Sequence, residues 1–201
     1  MNDRYPIPAG QAQIELVILK SRFIANAQYT PTVEGAKAFI AEVSQIYPNA
    51  SHHVYAFAVG YGASVTHGMS DAGEPSGTAG RPALAVVKGS GLGDVTVVIS
   101  RYFGGAKLGT GGLVKAYTEA AQLVLAELPR TEKVEKQTTT LTVPYNLYER
   151  VKRLLEQYEA EIDQEDFAAQ VTLKLTVPRP NLKPLAADLA ELSSGQIQLE
   201  R

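Results

Sequence analysis

The chain has 201 residues, of which 45% are hydrophobic and 20% charged, and a formal net charge of −2, so it has enough apolar material for one or two domains with buried cores. It contains no cysteine, which excludes disulfides, thiol catalysis and thiolate metal sites and fits a reducing cytoplasm. No apolar run approaches the roughly 20 residues of a membrane span, and the N-terminus lacks the apolar segment of a secretion signal. We therefore expect a cytoplasmic protein with no membrane segment, no metal site and no cofactor.

The first part of the chain alternates strand patterns with one clear helix pattern. Apolar residues predict a strand pair at 15–20 and 22–29, and HVYAFAV at 53–59 predicts a strand that is buried on both faces. Between them, helical spacing predicts an inward stripe formed by Ala36, Phe39, Ile40, Val43, Ile46 and Tyr47.

The next segment, SDAGEPSGTAGRP at 70–82, is rich in turn residues and predicts a loop, followed by a short helix from near Thr78 to Lys88. Its polar residues allow two interpretations. Asp71 and Glu74 beside Arg81 can act as an acid–base pair or hold Mg²⁺ beside a phosphate. Alternatively, Asp71 with Ser76 or Thr78 caps the helix, and Glu74 pairs with an arginine.

A strand pattern at 95–99 leads into RYFGGAKLGTGG at 101–112, which holds five glycines and two basic residues. A strong helix pattern follows from about Gly111, with an inward stripe of Leu113, Tyr117, Ala120 and Val124. A glycine-dense turn from strand to helix presents backbone N–H groups, and the positive end of the helix dipole, to an anion. The segment therefore predicts an anion or phosphate site.

The predicted site comprises Arg101, Gly104, Gly105, Lys107, Gly109, Thr110, Gly111 and Gly112, with accessory positions Ser76, Thr78, Arg81, Tyr102 and Lys115. It is not a Walker A sequence, because Gly109 is followed by Thr110 and Gly111, nor a dinucleotide fingerprint, because Val114 replaces the third glycine. The alternative is that these glycines only allow tight packing of strand against helix.

A change of pattern at 128–133, where a proline and polar residues follow the long helix, predicts a domain boundary after residue 130. Residues 1–130 carry 10 basic and 9 acidic side chains, and residues 131–201 carry 9 and 12. Neither domain is basic enough for strong nonspecific binding to nucleic acid, so any such contact must be local.

The second domain shows a shorter and more regular pattern. Strands are predicted at 138–143, 162–167 and 171–177, helices at 147–158 and 182–192, and a closing strand at Ile197 and Leu199. This βαββαβ order is ferredoxin-like, with both helices on one face of an antiparallel sheet and the other face free for a partner. The fold class is therefore α+β with two domains, 1–130 and 131–201.

Histidine and aromatic residues supply the remaining candidates. His52 and His53 are expected to play structural roles, although His53 is the best proton carrier in the chain. No Gly-x-Ser-x-Gly elbow accompanies them, which argues against a serine triad. Stacking on bases is open to Tyr55, Tyr102 and Phe103, but packing in the core is the expected role of each.

Four segments together resemble one family. KSRFI at 20–24, HVYAF at 53–57, SDAGEPSGTAGRP at 70–82 and VISRYFGGAKLGTGGLVKAY at 98–117 are similar to the YigZ/IMPACT family, and the resemblance spans the whole chain. Ala72 departs from the second aspartate that family members often carry in the form SDDGEPSGTAG. The departure weakens any mechanism that needs a carboxylate there.

The resemblance implies an N-terminal domain of the βαβ-rich, ribosomal-protein-domain-2-like fold found in elongation factor G and GHMP kinases. It also implies a ferredoxin-like C-terminal domain of the kind found in elongation factor G. Eukaryotic relatives regulate translation by competing for an activator of an initiation-factor kinase, but they carry a different accessory domain, so that role does not transfer directly. A shared fold is a weak guide to activity.

Two functions remain open. In the favoured one, the chain is a noncatalytic binding protein linked to translation, which engages RNA, the ribosome or a translation factor through the glycine-rich loop. In the other, it is an enzyme that holds a small phosphorylated compound at the loop while His53, Asp71 or Glu74 moves protons or positions a metal. The pattern does not determine an oligomeric state.

Overall fold

The computed structural model describes residues 4–200, and its contacts divide the chain into two compact units, Met1–Lys133 and Val134–Arg201. The elements of the first unit are β1 (Arg4–Pro8), β2 (Gln11–Ile18), β3 (Ser21–Tyr29), α1 (Val33–Ile46), β4 (His52–Val59), β5 (Thr66–Ser70), α2 (Gly80–Gly89), β6 (Val95–Tyr102), α3 (Gly109–Glu127) and β7 (Arg130–Val134). Within the described range, no helix combines the length and apolar character needed to cross a bilayer.

Five strands of the first unit form one sheet in the order β2-β3-β6-β4-β5, with every neighbouring pair antiparallel. Helix α1 connects β3 to β4, and α2 connects β5 to β6; in each case the two connected strands are separated by one other strand. These are split βαβ units. The mixed α+β class predicted for this domain is confirmed.

The sheet is covered on both faces because its central strands are apolar on both. Along β6, Val95, Val97 and Ile99 point into the large core against α2 and α3, whereas Val98 joins Phe39 and Val43 of α1 on the opposite face. Successive side chains of a strand alternate in this way. Alternate residues of β4 and β6 therefore contact different helix layers, which determines which side chains can come together in one site.

Local chemistry explains where several elements turn or begin. The hairpin between β2 and β3 turns at Leu19 and Lys20, both with positive φ (46° and 65°), as a tight two-residue hairpin requires. Helix α1 begins after Thr32, whose hydroxyl accepts a 3.0 Å hydrogen bond from the Gly35 amide. The stripe predicted for α1 is right for Phe39 and Val43 but wrong for Ile46, which is 57% exposed in the last turn.

Two strand pairings were missed by the sequence patterns. Strand β5 lies within a stretch with no alternation of apolar residues, and β7 overlaps the segment 128–133 where the domain boundary is predicted. Strand β7 pairs with β1, and Lys133 Nζ lies 2.7 Å from the Asp94 carboxylate, which also accepts a hydrogen bond from the Tyr5 hydroxyl. The partners of β7 are distant in sequence, so its own polar residues give no sign of pairing.

The second unit contains β8 (Lys136–Val143), α4 (Tyr148–Gln157), β9 (Glu161–Phe167), β10 (Val171–Pro178) and α5 (Arg179–Leu192). Its sheet has the order β8-β10-β9, antiparallel throughout, and a bridge between Thr140 and Glu200 adds to the free side of β8. This is the predicted ferredoxin-like order. The predicted closing strand is reduced to that single bridge, although Ile197 is buried in the core as expected.

Candidate functional site

The glycine-rich loop carries the chain from the end of β6 to the start of α3. Gly104 lies against the backbone of the β2–β3 turn: a Cβ there would overlap the Lys20 carbonyl group and the Ser21 amide nitrogen, and its own amide donates a 3.1 Å hydrogen bond to Ser21 Oγ. Gly105 and Gly109 have positive φ, 86° and 72°. Gly104 therefore serves packing, as the alternative interpretation held, while Gly105 and Gly109 supply backbone conformations that favour glycine.

Helix α3 begins at Gly109, one half-turn earlier than the sequence predicts, and no side chain caps its N-terminus. The first amides of a helix have no intrahelical acceptor, and those of α3 carry the positive end of a 19-residue helix dipole. Thr110 and Gly111 are exposed in this first turn. The start of α3 is thus suited to receiving negative charge.

A cleft of about 340 Å³ opens beside this helix start. Its lining includes Arg101, Phe103, Lys107, Gly109 and Thr110, together with the buried Glu74 and Leu113. The structure thereby brings together four of the predicted anion-site residues. The accessory positions Ser76, Thr78, Arg81, Tyr102 and Lys115 lie outside the lining.

Arg101 is not a free cation in the cleft. It is 5% exposed, and its Nη1 donates a 2.6 Å hydrogen bond to Glu74 Oε1 within a buried ion pair. Its guanidinium also lies 5.4 Å from the centre of the Phe23 ring and 5.7 Å from that of Phe103. Arg101 therefore orders the wall of the cleft. The structure contains the predicted pairing of Glu74 with an arginine.

Tyr117 completes this buried cluster. Its hydroxyl donates a 2.7 Å hydrogen bond to Glu74 Oε1, and burial, followed by the neighbouring Glu74 carboxylate, raises the tyrosine pKa far above its ordinary value. His52 Nδ1 lies 2.9 Å from the Ala72 carbonyl oxygen and its Nε2 lies 3.9 Å from Glu74 Oε1. Sequence reasoning assigned Tyr117 to the core and missed its polar role, because an inward tyrosine in a helix stripe gives no sign of its hydroxyl's partner.

His53 does not reach this cluster. It alternates with His52 along β4, so it lies on the α1 face of the sheet, where its Nδ1 is 2.9 Å from Ser100 Oγ. Burial, and then the nearby His52, lower the pKa of His53. The three candidate proton carriers His53, Asp71 and Glu74 are therefore not gathered in one place.

Asp71 is occupied by the backbone of its own loop. Its carboxylate accepts hydrogen bonds from the amides of Gly77 (2.8 Å), Ala79 (3.0 Å) and Gly80 (2.8 Å), at the start of α2. Burial alone would raise the pKa of Asp71, but these hydrogen bonds and the charge of Arg81 outweigh it and lower the pKa. Asp71 is the helix cap; Ser76 is exposed, and the Thr78 hydroxyl donates to the Pro75 carbonyl instead. No metal-holding group of side chains occurs among the described residues.

We expect an Asp71→Asn protein to lose about 1–2 kcal/mol of unfolding free energy at pH 7, because charge-assisted hydrogen bonds become neutral and one amide meets an NH₂ group. The folded-state pKa of Asp71 lies below its unfolded value. Its contribution is therefore complete above about pH 5 and is lost as pH falls through the folded pKa. Urea unfolding of both proteins at pH 7 and pH 3 checks this. The difference in unfolding free energy between wild type and Asp71→Asn should be smaller at pH 3 than at pH 7, and an equal difference at both pH values would contradict the capping role of the Asp71 carboxylate.

The expectation that Phe103 packs in the core is wrong. The ring is 52% exposed rather than buried, because the residue follows the last paired position of β6, and it is part of the cleft lining. Tyr55 is half-buried against Phe39 and Val43 of the α1 layer, and Tyr102 is half-buried beneath the Arg22 guanidinium. Of the three aromatic candidates, Phe103 alone combines exposure with a place in the cleft lining.

Comparisons with known proteins place the whole chain in one group. Residues 19–125 match the model of the Impact N-terminal domain, and residues 141–196 match a domain of unknown function, DUF1949. The IMPACT family member YigZ of Escherichia coli K12 is 41% identical over 194 residues, covering 96% of this chain and 95% of that protein. An IMPACT family member of Haemophilus influenzae is 39% identical over 98% of this chain and 96% of its own length.

A solved structure, described as the crystal structure of a hypothetical protein, is also similar. It is 39% identical, with a TM-score of 0.72, and the match covers 100% of this chain and 98% of that one. Two domain models in order, relatives aligned over nearly their full length and a matching structure agree with the resemblance of the four sequence segments. The chain belongs to the IMPACT family, a family associated in general with the regulation of translation.

Proposed function

We propose that this protein is a noncatalytic, translation-linked RNA-binding protein that holds single-stranded RNA in the cleft at the start of α3. The observation that carries the proposal is the meeting of three features in one cleft: an exposed aromatic ring, an exposed lysine and an uncapped helix N-terminus. RNA has a chemical group for each of them.

A backbone phosphate fits the helix start. The uncapped amides at Gly109 and Thr110 supply hydrogen-bond donors and the positive helix end, and Lys107 adds a mobile cation on the same side. Arg101 contributes little net charge to this group, because Glu74 pairs with it. Phosphate recognition therefore rests on the amides and Lys107, while Arg101 keeps the wall in place.

An unpaired base fits the exposed face of Phe103. Aromatic side chains stack on bases irrespective of sequence, and each such stack contributes about 1–3 kcal/mol. A base is free to stack only when it is splayed from a single strand, loop or end. The combination of one ring with one phosphate site predicts a short footprint of a few nucleotides with weak sequence preference.

Charge limits the strength of this contact. The described cleft offers Lys107 as its cation outside an ion pair, and residues 1–130 carry 10 basic against 9 acidic side chains. We therefore expect a shallow salt dependence, since each phosphate neutralised on a single strand adds only about 0.7 to the slope of log K against log salt. Placement beside ribosomal or messenger RNA during translation is consistent with the family.

Two single substitutions test the proposal with a fluorescently labelled ten-nucleotide RNA of mixed sequence. Phe103→Ala is expected to weaken binding about 5-fold to 150-fold, the equivalent of one lost stack. Lys107→Ala is expected to weaken it at low salt and to flatten the salt slope by about 0.7. Fluorescence anisotropy at several salt concentrations measures both effects.

The matched control is Lys115→Ala, which removes an exposed lysine of α3 outside the cleft. It should leave affinity and salt slope nearly unchanged. Equal losses in the Lys107 and Lys115 variants, with none in Phe103→Ala, would show a diffuse electrostatic contact and overturn the proposed site. Binding of a mononucleotide as tight as binding of the RNA would replace it with a small-ligand site.

A further inference from the structure

A second concavity lies between α2 and α3, on the side of these helices away from the sheet. It has a volume of about 800 Å³, and we call it the α2–α3 groove. Helix α2 contributes one continuous stripe to it, Pro82, Ala85, Val86 and Gly89, at helical spacing. Small residues in that stripe leave the helix backbone accessible, so a partner element can approach closely.

Helix α3 forms the opposite wall over three turns, from Val114 to Ala126. Val114 is 38% exposed although it is apolar, and Thr118 and Leu125 continue the same side of the helix. At 1.5 Å per residue this wall is about 18 Å long. The groove is therefore an elongated, mainly apolar trough rather than a closed pocket.

Two arginines mark the ends of the groove. Arg130 donates hydrogen bonds to the carbonyl oxygens of Ser90 (3.5 Å) and Leu125 (3.3 Å), which places it where both helices end. Arg81 lies in the first turn of α2, about 14 Å away along the helix axis. Within residues 4–200, no carboxylate lines the groove. Asp71 lies near Arg81, but its oxygens are occupied by three backbone amides.

We propose that the α2–α3 groove docks an amphipathic α-helix of a partner protein, with an acidic residue near each end of that helix's apolar stripe. An apolar trough between two helices matches the helix-in-groove mode of recognition. The terminal arginines complement acidic side chains separated by about three helical turns and disfavour a basic helix. This proposal is independent of the RNA cleft, whose residues it does not use.

The two ends differ in strength. Arg130 shares its hydrogen-bond donors with helix-terminal carbonyls, whereas among the described residues no group accepts a hydrogen bond from Arg81. The acidic residue that faces Arg81 should therefore contribute more to affinity. A substitution at Arg81 is accordingly the sharper probe of the charge requirement.

A display library of 16-residue peptides with high helix propensity, panned against the full-length protein, tests the proposal. We expect enriched peptides with an apolar stripe and acidic residues about ten or eleven positions apart. By fluorescence anisotropy, Ala85→Arg should weaken the best peptide at least 10-fold, because a long charged side chain then fills the trough. Arg81→Glu should weaken binding of the same peptide to a similar extent. Changing the facing acidic residue of the peptide to lysine should then restore binding to the Arg81→Glu protein.

Ala85 is exposed on a helix and arginine is a good helix former, so the fold should persist; urea unfolding and RNA affinity equal to wild type would verify this. Enrichment of peptides without acidic residues, absence of enrichment, or equal binding to Ala85→Arg would each overturn the proposal. So would light scattering that shows a dimer of wild type and a monomer of Ala85→Arg, since a second copy would then occupy the groove. Failure here leaves the RNA result unaffected.

Discussion

An Arg101→Met protein is expected to unfold with a free energy about 3–5 kcal/mol lower than wild type, because it leaves the Glu74 carboxylate buried without its cation. Glu74 is 8% exposed, and in the variant the Tyr117 hydroxyl remains as its close donor. Methionine keeps much of the arginine side chain's length, so the loss reports the broken ion pair more than a cavity. Urea unfolding at pH 7 measures it.

The matched control is Arg22→Met. Arg22 and Glu15 form an ion pair of similar length, 2.8 Å, but both side chains are about half exposed. Exposed pairs contribute little to stability, so the unfolding free energy of this variant should stay close to that of wild type. A loss below 1 kcal/mol for Arg101→Met would contradict the structural role assigned to Arg101 and return it to the list of ligand-binding cations.

A Gly104→Ala protein is expected to lose about 3 kcal/mol of unfolding free energy, at the upper end of overpacking effects. The new methyl group would overlap the Lys20 carbonyl and the Ser21 amide, which are backbone atoms and have no alternative rotamer. The loop must move away from the β2–β3 turn, and the hydrogen bond from the Gly104 amide to Ser21 Oγ is lost. RNA affinity should fall as well, because Phe103 precedes this residue.

Gly111→Ala is the control for Gly104→Ala. No atom lies within 4 Å of a Cβ at Gly111, and the residue is already helical. Alanine should therefore leave stability unchanged or raise it by up to about 1 kcal/mol. Thermal or urea unfolding measures both variants. Equal changes in unfolding free energy for Gly104→Ala and Gly111→Ala would show that close packing is not what requires glycine at position 104.

Much of the fold follows from local pattern. The hydrophobic run of β4 predicts a strand buried on both faces, the run at 95–99 predicts β6, and the stripe of Leu113, Tyr117 and Val124 predicts the inward side of α3. The elements of the second unit also follow from alternation and helical spacing, except the closing strand, which is reduced to one bridge. These features are predictable because they depend on neighbours within one turn or one strand.

The remaining features depend on partners far along the chain. Nothing local shows that Glu74 meets Arg101 and Tyr117, which lie 27 and 43 residues further on. Aromatic residues between apolar runs usually pack in the core, yet β6 ends at Tyr102 and Phe103, one residue further on, is exposed. Strand β7 pairs with β1, which lies at the other end of the unit in sequence, so the pairing is visible only in the folded chain.

Three of the segments that carry the family resemblance meet around Arg101, beside the cleft. KSRFI supplies Ser21, the loop at 70–82 supplies Glu74, and the glycine-rich segment supplies Arg101 and Gly104. The sequence shows that each segment is rich in glycine, polar and charged residues, but it does not show that the segments come together in the fold. Glycine in this region serves packing at one position and backbone conformation at two others, so both interpretations of the loop apply to different residues.

Amide chemical-shift mapping tests the central claim most directly. The isotope-labelled protein is titrated with the ten-nucleotide RNA, and the ¹⁵N–¹H spectrum is followed residue by residue. The largest changes should fall within residues 103–111, centred on Lys107, Gly109 and Thr110, with smaller changes across the α2–α3 groove. Saturable binding that leaves these amides unshifted, and shifts the sheet face of the second unit instead, would contradict the proposed cleft.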